Sequence, residues 1–369
     1  MPPPEIAPVS SPRLGELLRD DAGGAFPKAL APRVFTFPDD HGPHPAYRNE
    51  WWYLTGNLDG PAGGRFGYEL TIFRFRLAPD EPPALETDWR THQVYIGHFA
   101  ITDVARGDFH VAERYARAAA GLAGAEAEPF RVWVEDWSIS AREEGGPGEE
   151  RWQVRAADGD RMLRLDLDAV KAPVLNGEAG LSRKSAEEGN ASYYYSISRL
   201  ATTGEIRIGG ETFAVSGYSW LDREWGSSAL AADQVGWDWF ALQFESGDEL
   251  MFYNIRRGDG SADPYSAGTW VAADGATTSL SRDDVVVQVT DTWENERGDR
   301  YPSGWRIDVP SLGARLRIEP ALANQELETL VRYWEGAVDV SGTIGTIGTI
   351  TATPVAGRGY VELTGYAAP

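Results

Sequence analysis

The chain has 369 residues and carries 34 Lys and Arg against 56 Asp and Glu, a formal net charge of −22. Such an excess of carboxylates repels phosphate, which argues against nucleic acid or an anionic membrane as a partner. The absence of cysteine excludes disulfides, thiolate metal sites and cysteine nucleophiles, and the length suits about two globular domains.

Residues 1–32 are predicted to form a leader that is partly disordered. Its opening, MPPPEIAPVSSP, lacks the basic and apolar segments of a signal peptide, and the chain has no run of about 20 apolar residues to span a bilayer. Such a leader would remain if a start methionine replaced an export signal. We therefore expect a periplasmic or secreted protein, with the cytoplasm as the alternative, and a peripheral membrane association stays open.

From about Arg33 onward the sequence is typical of β-structure. Short segments rich in Val, Ile, Thr, Tyr, Phe and Trp alternate with clusters of Gly, Pro, Asn and Asp. Helix is scarce, with candidates only at residues 14–19 and in the Ala-rich segment 112–127. Hairpin turns are predicted at residues 203–205, 258–260 and 273–275.

Segments with a shared cadence indicate two related β-domains. EWWYLTGNLDG, from Glu50, resembles YWEGAVDVSG, from Tyr333, and ELTG repeats the cadence from Glu362. Chance similarity of Trp-rich strands is the alternative. We predict one domain over residues 33–215 and another over 216–369, with a pocket near their junction.

The five histidines offer few arrangements for catalysis. The loop DDHGPH holds two imidazoles and two carboxylates, and a turn with exposed His41 and His44 is favoured over a divalent metal site. His98 shares a strand face with apolar residues, which predicts a hydrogen-bonded core histidine. The sequence contains neither a phosphate loop nor a nucleophile elbow, and we predict no metal site.

The segment SGYSWLDREWG carries the strongest constellation for chemistry. In an extended strand Trp220, Asp222 and Glu224 share one face. Burial beside aromatic rings and mutual repulsion would raise one carboxyl pKa, which supplies a general acid beside a general base. The alternative is that arginines hold both carboxylates in ion pairs. The candidates for such pairs are Arg199, Arg223, Arg256 and Arg257.

Two neighbouring segments are predicted to complete an aromatic pocket. The chain has 14 Trp, 15 Tyr and 13 Phe; a β-core accounts for most of them, and a subset is available to line a cavity. Tyr193 and Tyr195 share one face of a strand, with Tyr194 on the other face. A second strand presents Trp237, Trp239 and Gln243 on one face.

At these blocks the sequence resembles the lipocalin-like family of carotenoid 1,2-hydratases (hydroxyneurosporene synthases) and its uncharacterised branch of predicted secreted hydrolases. The matching blocks are HGPHPAYRNEWWYLTGNL, GNASYYYSISRL, SGYSWLDREWG, QVGWDWFALQ, YWEGAV and GRGYVELTGY. They run from His41 to Tyr366, nearly the whole chain. The resemblance implies an all-β fold of two lipocalin-like β-barrel or sandwich domains in tandem, with little helix.

The resemblance also implies a mechanism. Carotenoid hydratases protonate a terminal isoprenoid double bond with an Asp two residues after an aromatic residue, and water captures the tertiary carbocation. That Asp matches Asp222, and Trp220 stands where the hydratases carry Tyr. Their upstream pair of an aromatic residue and a histidine matches Tyr195 and Tyr193, so this chain lacks the histidine. Other lipocalin-like relatives are cyclases, which hold a flexible chain in a reactive conformer.

We therefore expect a cofactor-independent hydratase or lyase that acts on a hydrophobic isoprenoid or polyene substrate, with Asp222 as general acid and Glu224 orienting water. The alternatives are a non-catalytic lipid or pigment carrier, a pericyclase-like cyclase, or a hydrolase. The predicted substrate-binding residues are Tyr193, Tyr195, Trp220, Trp237, Trp239 and Gln243.

Overall fold

The computed structural model describes residues 25–80, 89–142, 150–227, 230–345 and 352–367. In these ranges the chain forms 23 β-strands and four short 3-10 helices, and it forms no α-helix. The predicted all-β class is therefore confirmed. No helix in the same ranges is long and apolar enough to cross a membrane.

The first thirteen strands belong to one sheet and the next ten to another. The first set is β1 Asn49–Asp59, β2 Arg65–Arg76, β3 Gln93–Asp103, β4 Asp108–Arg117, β5 Ala123–Ala127, β6 Phe130–Val134, β7 Trp137–Ala141, β8 Arg151–Asp158, β9 Arg161–Ala169, β10 Val174–Leu175, β11 Leu181–Arg183, β12 Ala191–Ile208 and β13 Glu211–Gly226. The second set is β14 Gln234–Phe244, β15 Glu249–Arg257, β16 Ala267–Val271, β17 Thr277–Ser281, β18 Val286–Glu294, β19 Arg300–Val309, β20 Ala314–Pro320, β21 Glu326–Leu327, β22 Tyr333–Gly345 and β23 Ala352–Leu363. The 3-10 helices are Asp39–His41, Pro61–Gly63, Arg282–Asp284 and Pro310–Leu312.

Each sheet is antiparallel and encloses a core of its own. The first runs in the order β4-β3-β2-β1-β13-β12-β9-β8-β7-β6-β5, and it curls until β6 lies against β2, β3 and β4. Trp52, Trp137 and Leu165 belong to its core. The second runs β17-β16-β15-β14-β23-β22-β20-β19-β18, around a core that includes Phe240 and Trp305. Two tandem lipocalin-like domains, as the resemblance implies, are confirmed.

The two sheets share one topology. In each, four strands form a meander (β1–β4 and β14–β17), and the first strand of the meander pairs with the last strand of the sheet, β13 or β23. The strand before the last, β12 or β22, follows on the far side. β14 therefore occupies the position in the second sheet that β1 occupies in the first. The sequence pattern shared by β1 and β22 thus belongs to strands at different positions in their sheets.

The chain passes from the first sheet to the second between Gly226 and Gln234. The boundary predicted at 215/216 falls inside β13, which pairs with both β1 and β12. Of the predicted leader, residues 1–24 lie outside the described residues, whereas Phe26 and Ala29 are buried and Ala29 belongs to the first core. The sequence has a local low-complexity repeat, GTIGTIGTI, at residues 342–350, and its part up to Gly345 ends β22.

Two local expectations are wrong. The segment 112–127 forms β4 and β5 instead of a helix, because β3 offers a continuous antiparallel partner to Ala112–Arg117 and strand pairing outweighs the modest helix propensity of alanine. Residues 203–205 continue β12, and the turn follows at Gly209 and Gly210, which both have positive φ. The turns at 258–260 and 273–275 are confirmed, and the helix candidate at 14–19 lies outside the described residues.

Candidate active site

The two sheets pack against each other through the outer faces of their central strands. Side chains alternate along a strand, so Trp52 and Leu54 of β1 lie in the first core while Trp51 and Tyr53 contact the second sheet. Burial on both faces explains why β1 is apolar over most of its length. The layer between the sheets includes Tyr53, Tyr194, Trp220, Trp239, Met251, Tyr253, Ala337 and Tyr360.

A cavity opens within this layer. The cavity has a volume of about 70 Å³ and opens to solvent at its mouth. Most of the wall is aromatic or aliphatic, and the polar groups are four carboxyls, one lysine and tyrosine hydroxyls. The lining residues are Trp51, Tyr53, Phe73, Lys184, Tyr194, Asp222, Glu224, Leu230, Trp237, Trp239, Tyr253, Ile255, Glu335 and Glu362.

Asp222 is held by hydrogen bonds from neutral donors. Trp220 Nε1 donates to Oδ1 at 2.7 Å, Ser196 Oγ donates to the same oxygen at 2.5 Å, and the hydroxyl of Tyr194 donates to Oδ2. Tyr194 in turn accepts a hydrogen bond of 3.1 Å from Trp239 Nε1. Strand register explains this arrangement, since Ser196 of β12 lies directly opposite Asp222 of β13 and residues two apart share a face.

These surroundings keep a proton on Asp222 near neutrality. Burial raises the pKa of Asp222 to about 7, and the negative charge of Glu224 acts in the same direction. The three hydrogen bonds act against burial because they stabilise the ionised carboxylate. A carboxyl with a pKa near 7 serves both as proton donor and as proton acceptor at physiological pH.

Glu224, two residues on, has a cation beside it. Lys184 Nζ lies 3.0 Å from Glu224 Oε1, and the hydroxyl of Ser192 donates to the same oxygen. Burial lowers the pKa of Lys184, but Glu224 outweighs it and the net pKa is raised. Lys184 Nζ also lies 4.3 Å from the ring centroid of Tyr253. This carboxylate and this lysine therefore form a buried ion pair on the cavity wall.

The arginines considered as partners for these carboxylates are engaged elsewhere. Arg223 pairs with Glu50, Arg199 with Glu249 at 2.5 Å, Arg256 with Asp238 at 3.0 Å and Arg257 with Asp263 at 2.8 Å. The ion-pair alternative applies to Glu224 through Lys184, and not to Asp222.

The opposite wall carries carboxyls that the sequence reasoning missed. Glu335 and Glu362 face each other across β22 and β23 and both line the cavity, and Glu69 lies close enough to interact with them electrostatically. Burial raises the pKa of Glu362 and of Glu69 to about 8 each, and that of Glu335 well above its ordinary value. The signal was present in the sequence, because Glu335 and Glu362 both stand in the segments with the shared cadence.

The structure brings together only part of the predicted substrate-binding set. Trp237 and Trp239 line the cavity, and Trp220 stands behind Asp222 as a hydrogen-bond donor. Tyr193 and Tyr195 point into the first core, on the face of β12 opposite Tyr194, so Tyr194 is the residue that β12 contributes to the cavity.

Gln243 does not lie among the lining residues. Its Nε2 donates to the backbone carbonyls of Ser198 and Ser219, at 2.7 and 3.0 Å. Since Gln243 belongs to β14 and both carbonyls belong to the first sheet, this side chain ties the two sheets together.

Three of the histidines, His41, His44 and His98, lie in packed, hydrogen-bonded or stacked surroundings. The expectation of an exposed loop is wrong, since His41 is buried with Nδ1 2.6 Å from the hydroxyl of Tyr195, and His44 stacks on Trp225 at a centroid distance of 3.7 Å. His98 is a buried, hydrogen-bonded core histidine, as predicted, with Nδ1 2.6 Å from the hydroxyl of Tyr333. No group of three or more His, Asp or Glu in the described ranges is placed to hold a metal ion.

Fold and cavity together define a class, the tandem lipocalin-like β-proteins with an acid-bearing aromatic cavity between their domains. Within this class the chain belongs to the AttH-like family, whose model matches residues 28–366. This membership confirms the resemblance drawn from the Trp-bearing blocks. A crystal structure assigned to AttH, from Nitrosomonas europaea, is 33% identical, with a TM-score of 0.78 over 92% of this chain and 100% of its own.

Two curated fungal proteins are more distant relatives. The dehydratase asqC of Emericella nidulans is 25% identical over 221 residues, which is 57% of this chain and 60% of that protein. Kievitone hydratase of Fusarium solani subsp. phaseoli is 22% identical over 236 residues, 57% of this chain and 59% of that protein. The chain thus matches about three fifths of the length of these relatives.

Proposed function

We propose that this protein is a cofactor-independent hydratase or lyase that protonates a double bond of a hydrophobic isoprenoid or polyene substrate in the cavity between its domains. The observation that carries the proposal is Asp222, a buried carboxyl with neutral hydrogen-bond donors, no ion pair with a described lysine or arginine and a pKa of about 7. The relatives named dehydratase and hydratase support the same reaction class, since water is removed or added in each.

The chemistry requires a proton donor and a surface that tolerates positive charge. Asp222 gives its proton to one alkene carbon, and the adjacent carbon becomes a tertiary carbocation that water captures. The rings of Tyr53, Trp237 and Trp239 line the same cavity, and the face of an aromatic ring attracts a nearby cation. Glu224 is proposed to orient water, and Lys184 Nζ lies 3.0 Å from its Oε1.

A carrier would hold the same ligand and never convert it. The proposal is tested with lycopene, geraniol and a prenylated phenol as trial alkenes, each incubated with the full chain and analysed for hydrated product by mass spectrometry. We expect Asp222→Asn to lower the rate of hydration at least a hundredfold, the range of general acid catalysis, while fluorescence still detects binding.

Glu326→Gln is the control, because Glu326 is a buried carboxyl of the second domain that does not line the cavity. It is expected to leave the hydration rate within about twofold, as for distant substitutions. Binding of all three alkenes without conversion would make the protein a carrier, and unchanged turnover in Asp222→Asn would remove Asp222 from the mechanism.

A further inference from the structure

The wall opposite Asp222 repeats the architecture of the Asp222 wall. In each sheet the first strand pairs with the last, β1 with β13 and β14 with β23. Asp222 lies opposite Tyr53 in the first pair, and Glu362 lies opposite Trp239 in the second. Tyr53 and Trp239 pack edge to face with ring centroids 5.0 Å apart. The two carboxyls therefore occupy equivalent positions on the two sides of one cavity.

The two walls differ in the neighbour of the carboxyl. Across β12, Asp222 faces the hydroxyl-bearing Ser196, whereas across β22, Glu362 faces a second carboxyl, Glu335. Side chains directly opposite in an antiparallel pair have Cβ atoms roughly 5 Å apart. Glu335 and Glu362 thus form a carboxyl pair, and both of its members line the cavity.

This carboxyl pair retains hydrogen-bonding capacity toward the cavity. Glu335 is fully buried and its Oε2 accepts a hydrogen bond of 2.8 Å from the hydroxyl of Tyr53. Its Oε1 has no hydrogen-bond partner among the described residues, and no described lysine or arginine contributes to the ionisation of either carboxyl. A buried oxygen without a partner on a cavity wall is a position for an O–H donor.

We propose that Glu362, with Glu335 beside it, is the oxygen-handling group of the cavity, which binds the water or hydroxyl of the substrate and exchanges a proton with it. The inference rests on the proposed function for the proton-transfer step, and it deepens that function by dividing the reaction between two walls. Asp222 serves the carbon atom, and Glu362 serves the oxygen atom, a role in which it replaces Glu224.

The step balances as follows in the direction of hydration. The O–H bond of Asp222 breaks and its proton forms a C–H bond with one alkene carbon. The water oxygen forms the C–O bond with the adjacent carbon, and one water O–H bond breaks as ionised Glu362 takes the proton. One proton has left Asp222 and one has reached Glu362, and exchange with solvent at the mouth restores the starting state. Dehydration is the same sequence reversed.

The electrostatics bring both carboxyls into one pH range, and the higher pKa of Glu362 favours the protonation state from which dehydration starts. Burial and the charges of Asp222 and Glu224 raise the pKa of Glu362 to about 8, although a hydrogen bond with Trp237 acts in the opposite direction. Asp222 has a pKa of about 7. Both groups therefore change protonation within the physiological range, as an acid and base working in concert must.

Binding of a hydroxyl is measured directly with two probes, geraniol and the hydrocarbon of the same skeleton without its hydroxyl. Titration of the full chain by tryptophan fluorescence gives the ratio of the two affinities. A site that hydrogen-bonds a hydroxyl discriminates against the analogue that lacks it, and we expect wild-type protein to favour geraniol by about tenfold or more. Glu362→Leu should reduce that ratio to near one, and Asp222→Asn and Glu326→Gln should preserve it.

Glu362→Gln separates binding from proton transfer, because an amide still hydrogen-bonds a hydroxyl but cannot take its proton. It should preserve the affinity ratio and lower by at least a hundredfold the hydration of any alkene that the wild-type protein converts. An unchanged ratio in Glu362→Leu, or no discrimination by wild-type protein, overturns the inference even if Asp222-dependent hydration is found. A ratio that depends on Glu362 without hydration of any alkene supports the oxygen site and removes the proposed function.

Discussion

Two sets of carboxyls in the interior of this protein have pKa values that are shifted in opposite directions. The first set is Glu50, and the second set is Glu69, Glu335 and Glu362. Glu50 and Glu335 are both fully buried. Burial opposes the ionisation of Glu50, but Arg74 and Arg223 outweigh it and hold the pKa of Glu50 far below its ordinary range. No lysine or arginine of the described residues offsets the burial of Glu335, so burial and the charges of Glu362 and Glu69 raise its pKa well above the ordinary value. Burial alone therefore does not mark a functional carboxyl.

The two sets also differ in what surrounds them. Glu50 is enclosed in the first domain, where its carboxylate accepts hydrogen bonds from Arg74, from Arg223 and, at 3.0 Å, from the backbone N–H of His44. Glu335 and Glu362 border a cavity. A buried carboxyl without a cation costs stability whenever the pH favours ionisation of the unfolded chain. Because Glu335 and Glu362 lie on a cavity wall, this loss of stability points to a binding or catalytic role for them.

Glu50→Gln removes the carboxylate of the first set and has the largest expected effect on stability. The substitution leaves the guanidinium groups of Arg74 and Arg223, both fully buried, without their counter-ion. Removing one partner of a buried ion pair costs about 3 to 5 kcal/mol. Calorimetry at pH 7 should therefore show a large fall in the thermal midpoint of the first domain. A loss of unfolding free energy of less than about 1 kcal/mol, the range of a surface pair, would contradict the structural role given to this network.

Glu69→Gln tests the second set, and its expected effect on stability is the opposite: the variant is more stable than the wild-type protein at high pH. The folded pKa of Glu69, about 8, lies above its ordinary value of 4.5. The stability contribution of the neutral group is fully present below the ordinary value and is lost as pH rises through the folded pKa. Glutamine does not ionise, so the variant should gain stability on the order of 3 kcal/mol at pH 8.5 and little at pH 4.5. Denaturant unfolding at both pH values measures the gain.

A gain of the same size at pH 4.5 and pH 8.5 would show that packing, and not ionisation, distinguishes glutamine from glutamate at residue 69. Glu326→Gln is a useful comparison, because Glu326 is buried in the second domain but accepts hydrogen bonds from Tyr301, at 2.9 Å, and from Asn295, at 2.7 Å. Removing a carboxylate that is satisfied in this way should destabilise the protein at pH 8.5.

Sequence periodicity was sufficient for β13 and insufficient for β12, β22 and β23. The period of two placed Trp220, Asp222 and Glu224 on one face, since β13 is long and regular in that segment. It could not choose between Tyr194 and its two neighbours, because that choice depends on the register of β12 against β13. The pairing of Glu335 with Glu362 depends on the register of β22 against β23, which no local pattern encodes.

Long-range pairing also explains why the helix predicted at residues 112–127 is wrong. Alanine favours a helix only slightly, and the choice is made by β3, a strand that lies earlier in the chain. The all-β class and the two-domain organisation were readable because they are repeated in many segments. The cavity was not, since it exists only where the outer faces of two separate sheets meet.

Tyr194→Phe has the smallest expected effect. It tests how far a neutral hydrogen-bond donor, in place of a cation, lowers the pKa of a buried carboxyl. The hydroxyl of Tyr194 donates to Asp222 and lowers the Asp222 pKa, against the effect of burial. Its loss should raise the pH at which Asp222 ionises by roughly one unit, the value of one hydrogen bond to a charged group. Infrared spectroscopy of the protonated carboxyl, with Asp222→Asn as the blank, follows that titration without a substrate. Tyr195→Phe is the matched control, because Tyr195 lies on the opposite face of β12 and contacts His41 instead. If both variants shift the titration equally, the assignment of Tyr194 to the cavity wall is wrong.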